Sequence, residues 1–432
     1  MGISRRQFVT GSAVAAAGAL GPARGLRAAP RAAAQSGTLT VWGFGEEVLG
    51  GLRTQVQAFN QKYPDVTVDF KVIGYDDIHI NLLNAVVAGT GAPDLCAIDV
   101  LNLTQFVDGL VDLSAHRAEY EDYFVPPTLD LGSYQGKLYG LATDSEPVGL
   151  FYRKDIWDQY GIAEDEIETW ADLAEAGNKL DQDSGGQIKL YAISGNEYHL
   201  YQVMATEQGF AGYYFDDTDT KVIVDDPKSI AAVEVIKQLW DSKGGLHDPA
   251  GGIYSDEETI LIKSGKVASQ MVGPAWFPFY LTQQMPELSG KWRLMRAPAI
   301  EPGGPRVGYQ FPSIFVIPSQ SQMQDLAWEF EVMGLTGDGA RADFEVSHIM
   351  PADAALLEEL LPQPDEYFGG QKIIELLNAI ALDTPKVFFG TGFTEAQAIL
   401  GNHLQQILNG EKSAEDGMHE AAEEMRAKLG KS

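Results

Sequence analysis

Between residues 37 and 99 the hydrophobic period changes four times, and this alternation constrains the fold more than any other feature. "GTLTVWGF" sets Leu39 and Val41 between polar neighbours, the two-residue period of a strand. Val48, Leu52, Val56 and Phe59 then recur at three- to four-residue spacing, which predicts a helix stopping before Pro64. "VTVDFKV" alternates Val66, Val68, Phe70 and Val72 as a half-buried strand. A second helix is predicted from about Asp76 to the glycines at 89 and 91, "PDLCAI" reads as a short buried strand, and "LTQFVDGLVDLS" reads as a third helix. Strands separated by helices pair in parallel and take the helices on their faces, giving an α/β fold. Such sheets bind ligands in the crevice beyond the carboxyl ends of their strands.

The 432 residues exceed what one ordinary core holds and suit two lobes. The later sequence repeats the style. Thr169 with Asp172 reads as a capping pair opening "TWADLAEAGNKL", Pro227 opens a helix ended by Gly244 and Gly245, and "AEDGMHEAAEEMRAKL" is a last amphipathic helix. A net charge of -30 excludes nucleic acid as a partner, because a polyanion requires dense Lys and Arg. Cys96, the single cysteine, permits no intramolecular disulfide and reads as a buried, inert thiol. The seven histidines show no metal-ligand spacing, and neither acidic run, at 181 or at 216, combines the Gly with the terminal Glu of an EF-hand loop. G-x-S-x-G, G-x-G-x-x-G and H-E-x-x-H are all absent, so neither metal nor cofactor is expected.

The first 34 residues carry five arginines and no acid. "SRRQFV" places Arg5 and Arg6 ahead of a short Ala/Gly-rich apolar stretch, and "RAAAQS" follows. A charged start, a short apolar middle and a small-residue end describe a secretory signal, here of the twin-arginine type, with cleavage expected after Ala34. The apolar stretch is too short to span a bilayer stably, and with no cysteine near the cleavage region no lipid anchor is expected. A periplasmic or extracellular location follows as an expectation.

Aromatic and acidic residues cluster in a few places. "GPAWFPFYL" packs Trp276, Phe277, Phe279 and Tyr280 around two prolines, which argues for irregular or freshly started structure. "TDSEPVGLFYRKDIW" sets Asp144 and Glu146 beside an apolar run. "NEYHLYQ" offers Tyr198 and Tyr201, "GYQFPSIFVIP" offers Tyr309, Gln310 and Phe311, and "KVFFGTGF" offers Phe388. Each alone fits a core better than a site, since large aromatics dominate cores; the glycine, proline or acid beside each shifts the balance toward a site.

The order of these pieces carries a resemblance. "LTVWGF" with "FNQKYPDVTVDF", "LLNAVVAGTGAPDLCAID", "GLVDLS", "YQGKLYGLAT", "LFYRKDIWDQYGI" with "ETWADL", "IKSGKVASQMVGPAW" and "AWEFEVMGL" follow one another as in family 1 extracellular solute-binding proteins of ABC importers, the maltose-binding-protein-like group. Resemblance to this family implies a type II periplasmic-binding fold, two α/β lobes with ligand trapped between them by hinge closure. The expected lobes are 37–146 with 272–317, and 147–271 with 318–432. The crossing at "DSEPV" would bring Asp144 and Glu146 to the cleft. Matching positions add Trp42 and Glu46 at the end of the first strand, Asp99 at the end of the third, and Tyr309, Gln310 and Phe311 flanking the fourth. In the family a Trp commonly stands two residues after the glycine of "GPAW"; here Ala275 does, and Trp276 follows.

The family implies a receptor without catalysis, a monomer, handing a small solute to membrane permease subunits. A sugar offers apolar C–H faces that stack on rings and hydroxyls that carboxylates accept pairwise. Trp276 is accordingly expected as the stacking platform, with Phe279 and Tyr280 as packing behind it. Two alternatives stay open: the same fold binding a cation such as a polyamine through rings and acids, and a secreted glycosidase using Asp144 and Glu146.

Overall fold

The structure, a computed structural model, describes residues 36–249 and 255–432; the twin-arginine segment and its cleavage site lie outside the described residues. The alternation in sequence becomes β1 (Gly37–Gly43), α1 (Glu46–Lys62), β2 (Val66–Val72), α2 (Tyr75–Ala88) and β3 (Leu95–Asp99). β1 pairs in parallel with both β2 and β3. Gly89 ends α2 in the left-handed region at φ 69°, which glycine adopts without a Cβ clash. The third predicted helix shrinks to one turn, Leu103–Phe106, between 3₁₀ turns. Its continuation fails at Gly109, which lies so close to Val86 that an added Cβ would come within 2.2 Å. Beyond it the chain is extended, and Val111 donates its N–H to Ile317 at 2.9 Å.

The elements that frame the site follow. They are β4 (Gly140–Ala142), β5 (Gly149–Arg153), α3 (Tyr198–Glu207), β6 (Ser269–Gly273), α4 (Phe277–Gln284), β7 (Trp292–Arg296), β8 (Ser313–Val316), α5 (Gln324–Leu335), α6 (Gly337–Ser347) and α7 (Phe393–Leu408). The first sheet runs β2-β1-β3-β8-β4, with β8 antiparallel to both neighbours. A second sheet runs β6-β5-β7, antiparallel throughout. Around the second sheet the predicted capping pair forms: Thr169 Oγ1 accepts the Asp172 N–H at 3.2 Å, and Asp172 accepts the Thr169 N–H at 2.7 Å. Asp226 caps the helix opened by Pro227.

Strand pairing divides the chain differently from the expected lobes in two places. β7, expected with the first lobe, pairs with β5 in the second sheet from Trp292 to Arg296. α5 and α6, expected with the second lobe, pack on α1 of the first. There Phe330 meets Phe59 at 4.8 Å, because Leu326, Ala327 and Phe330 complete the core that Leu52 and Phe59 open.

Two crossings join the sheets. Residues 144–148 lead from β4 to β5, and residues 308–312 lead into β8. They run antiparallel: Val148 donates to the Gly308 carbonyl and Gln310 to the Glu146 carbonyl, both at 2.9 Å. Cys96 is fully buried, and burial pushes its thiol far above the ordinary value. Among the described residues no helix is long and apolar enough to cross a membrane.

Candidate functional site

A cleft of about 1240 Å³ opens at the crossings, lined by strand ends of the first sheet, by the crossings and by the helices α2, α3 and α4. One wall stands at the carboxyl ends of β1 and β2. Phe44 follows β1 directly, and Tyr75 and His79 project from the first turns of α2. Their rings form a cluster, Phe44 to Tyr75 at 5.4 Å and Tyr75 to His79 at 5.5 Å.

α4 builds the opposite wall. Trp276, Phe279, Tyr280, Gln283 and Gln284 all line the cleft, and their spacing is that of one helix face. Pro278 is compatible with this helix because first-turn N–H groups have no intrahelical partner to lose. Phe279 and Tyr280 are therefore part of the wall itself, contrary to expectation. The packing behind belongs to Ala275 and Phe277, both fully buried, with Phe277 set against Phe151 at 5.1 Å.

The floor combines Tyr198 and His199 at the start of α3 with Gln310 and Phe311 from the second crossing. Tyr198 lies 4.3 Å from His199, which lies 6.3 Å from Phe311. Burial drives the His199 ring down to about 4, so it is neutral at physiological pH.

Three acids complete the cleft. Asp99 ends β3, accepts a hydrogen bond from the Tyr75 hydroxyl and another from Ser313 Oγ at 3.4 Å. Burial nonetheless pushes its carboxyl up to about 7. Asp144 and Glu146 lie as neighbours in the first crossing; burial raises both, and the neighbouring Asp144 charge raises Glu146 further. The backbone N–H groups of Ala275 and Trp276, at the start of α4, oppose that rise in Glu146. Asp144 Oδ1, Glu146 Oε2 and Gln310 Nε2 are buried without a hydrogen-bond partner. Leaving such atoms unpaired costs about 1–3 kcal/mol each, so a polar ligand that reaches them recovers a real penalty.

Of the residues singled out in the sequence, Asp99, Asp144, Glu146, Tyr198, Trp276, Gln310 and Phe311 converge on this cleft. The others lie elsewhere. Trp42 packs half-buried against the core, and Phe44 takes the position at the strand's open end. Glu46 points to solvent and pairs with Arg53 at 2.9 Å, since it opens α1 and turns back along the helix. Tyr201 is fully buried, stacked on Tyr214 at 6.0 Å. Tyr309 is buried in the second crossing, its hydroxyl 3.3 Å from Ser145 Oγ. Phe388 lines a separate cavity of about 230 Å³ and lies against Gly212, whose missing side chain makes room for the ring. Sequence reasoning passed over Phe44, Tyr75, His79 and the α4 glutamines. Phe44 and Tyr75 are marked by the strand ends they follow, and the glutamines by the helical spacing from Trp276. Among the described residues no group of three or more His, Cys, Asp or Glu could hold a metal ion.

Two α/β bodies joined by crossing strands, with a ligand-sized cleft at the crossing, define the type II periplasmic-binding fold. The chain belongs to the bacterial extracellular solute-binding protein family, whose pattern matches residues 46–330. This is a family of substrate-binding receptors, not of enzymes. The chain is 27% identical to the arabinooligosaccharide-binding protein of Bacillus subtilis, over 90% of this chain and 92% of that one. It is 23% identical to the lactose-binding protein of Rhizobium radiobacter, over 88% and 90%. In fold it is similar to the ABC transporter associated binding protein of B. animalis subsp. lactis solved with beta-1,6-galactobiose, at TM-score 0.77 and 23% identity, covering 91% and 97% of the two chains.

Proposed function

We propose that the chain is the extracytoplasmic receptor of an ABC importer, binding an oligosaccharide in this cleft and handing it to membrane permease subunits as a monomer without catalysis. One observation carries the reading: a single cleft is lined both by rings, among them Tyr198, Trp276 and Phe311, and by the carboxyl and amide side chains of Asp99, Asp144, Glu146 and Gln310. Rings take the C–H faces of a sugar, and the buried polar atoms take its hydroxyls. The cleft's volume exceeds what one monosaccharide fills, which favours several linked units. The names of the arabinooligosaccharide- and lactose-binding relatives agree with this class. Trp276, Phe311 and Tyr198 serve as stacking surfaces, and Asp99, Asp144, Glu146 and Gln310 as hydroxyl partners. Ligand touching both walls favours the closed hinge. The twin-arginine segment exports the folded chain and leaves it without a lipid anchor.

A glycosidase needs two carboxyls about 5–9.5 Å apart, whereas Asp144 and Glu146 are immediate neighbours in one crossing, each shifting the other's titration. The acids do favour one second reading, a cationic solute. Thermal melting of the purified protein against neutral oligosaccharides and polyamines separates the two. Ligand at 100 times its dissociation constant adds about 2.7 kcal/mol of stability. Stabilisation by polyamines alone refutes the carbohydrate reading.

A further inference from the structure

The cleft carries charge of one sign only. Asp99, Asp144 and Glu146 reach it, and no Lys or Arg stands among the described residues that line it. Its two histidines add no positive charge. His79 accepts the Asp99 backbone N–H at Nε2 (3.2 Å) and faces the Tyr75 carbonyl with Nδ1 (3.1 Å), the pattern of a neutral ring. His199 is kept neutral by burial.

The surroundings do not compensate. Behind Asp144, across a small cavity, stands Asp343 of α6, another acid. Tyr309 approaches Glu146 from the second crossing and carries no positive charge. The start of α4, where backbone N–H groups could receive an anion, stands beside Glu146, itself an acid.

We infer that this receptor accepts neutral oligosaccharides and rejects chains that carry a carboxylate, sulfate or phosphate on a buried ring. The inference rests on the carbohydrate reading. A buried anion needs a cation or a set of dedicated donors to replace its water. Here it meets acids instead, and like charges brought together cost several kcal/mol. A neutral hydroxyl meets no such barrier and finds acceptors at Asp99, Asp144 and Glu146.

The test is calorimetric titration of the intact exported protein at pH 8, where Asp99 is ionised. The probes are neutral arabinan, galactan and maltose series of two to four units, oligogalacturonates of the same lengths, their methyl esters, and spermidine. The expected result is binding of a neutral series, with the oligogalacturonate at least about 100-fold weaker. Methyl esterification, which removes the charge and keeps the carbon skeleton, should restore at least tenfold. An oligogalacturonate within tenfold of the neutral chain overturns the inference and leaves the carbohydrate reading standing. Esters as weak as the free acids also overturn it, because shape rather than charge then decides. Binding of spermidine alone overturns the carbohydrate reading, and the inference falls with it.

Discussion

Replacing Asp99 by Asn isolates what a buried carboxyl does to stability. Asp99 is 4% exposed, and burial carries its carboxyl from 3.8 to about 7 despite the opposing bonds from Tyr75 and Ser313. The folded chain therefore keeps a proton that the unfolded chain releases between about pH 4 and pH 7. Stability from this group is complete below pH 4 and is lost as pH rises to 7. One proton's difference changes stability by about 1.36 kcal/mol per pH unit, so the whole loss is about 4 kcal/mol. About 2.6 kcal/mol of it falls between pH 5 and pH 8. Asn keeps the shape and the acceptor oxygen for Tyr75 but does not titrate. The melting temperature of Asp99→Asn relative to wild type should thus rise by about 5–10 °C from pH 5 to pH 8, at about 2–4 °C per kcal/mol for bodies of this size. Scanning calorimetry of both ligand-free proteins at four pH values and fixed ionic strength measures it. Parallel curves would show that Asp99 titrates alike in the folded and unfolded chain, and would refute the reasoning.

Three further outcomes are expected. Trp276→Ala should weaken the best sugar ligand about 10- to 100-fold by calorimetry, the range for losing a central aromatic contact; unchanged affinity would remove the ring from the site. Gly140→Ala should lower stability by about 1–3 kcal/mol in urea unfolding. An added Cβ there would stand 1.9 Å from the Phe315 carbonyl oxygen, backbone that no rotamer change moves aside. Arg5→Lys with Arg6→Lys should hold the protein inside the cell, scored by fractionation and immunoblot; undiminished export would rule out the twin-arginine route.

The first sheet was readable because β1, α1, β2, α2 and β3 are continuous in sequence and each declares its period within a few residues. The lobe boundaries were not. Nothing local in Trp292–Arg296 says that it pairs with β5, or in "AWEFEVMGL" that it packs on α1; those are long-range choices set by complementary apolar faces. At the site, Asp99, Asp144 and Glu146 were named because the family resemblance placed a strand end and a crossing at them, where such sheets open their crevice. Tyr201 and Tyr309 show the limit of composition, since an aromatic beside polar residues still enters the core when a neighbour such as Tyr214 or Ser145 receives it. Pro278 hid the α4 wall, because a proline reads as a helix breaker until its place in the first turn is known.

The paired crossings have a bearing on how this cleft is best redesigned. Glu146 and Gln310 present side chains to the cleft, and their backbones share one of the backbone hydrogen bonds that hold the crossings together. Recognition and pivot are built from the same residues. Substitutions there alter the stiffness of the joint along with its chemistry, so altered preference and altered switching arrive mixed. Tyr75 and His79 on α2, and Phe279, Gln283 and Gln284 on α4, sit on helices outside the two crossings. A library directed at those five positions would retune what is held while leaving the motion that holds it intact, and would make the protein a biosensor scaffold with separable reading and moving parts.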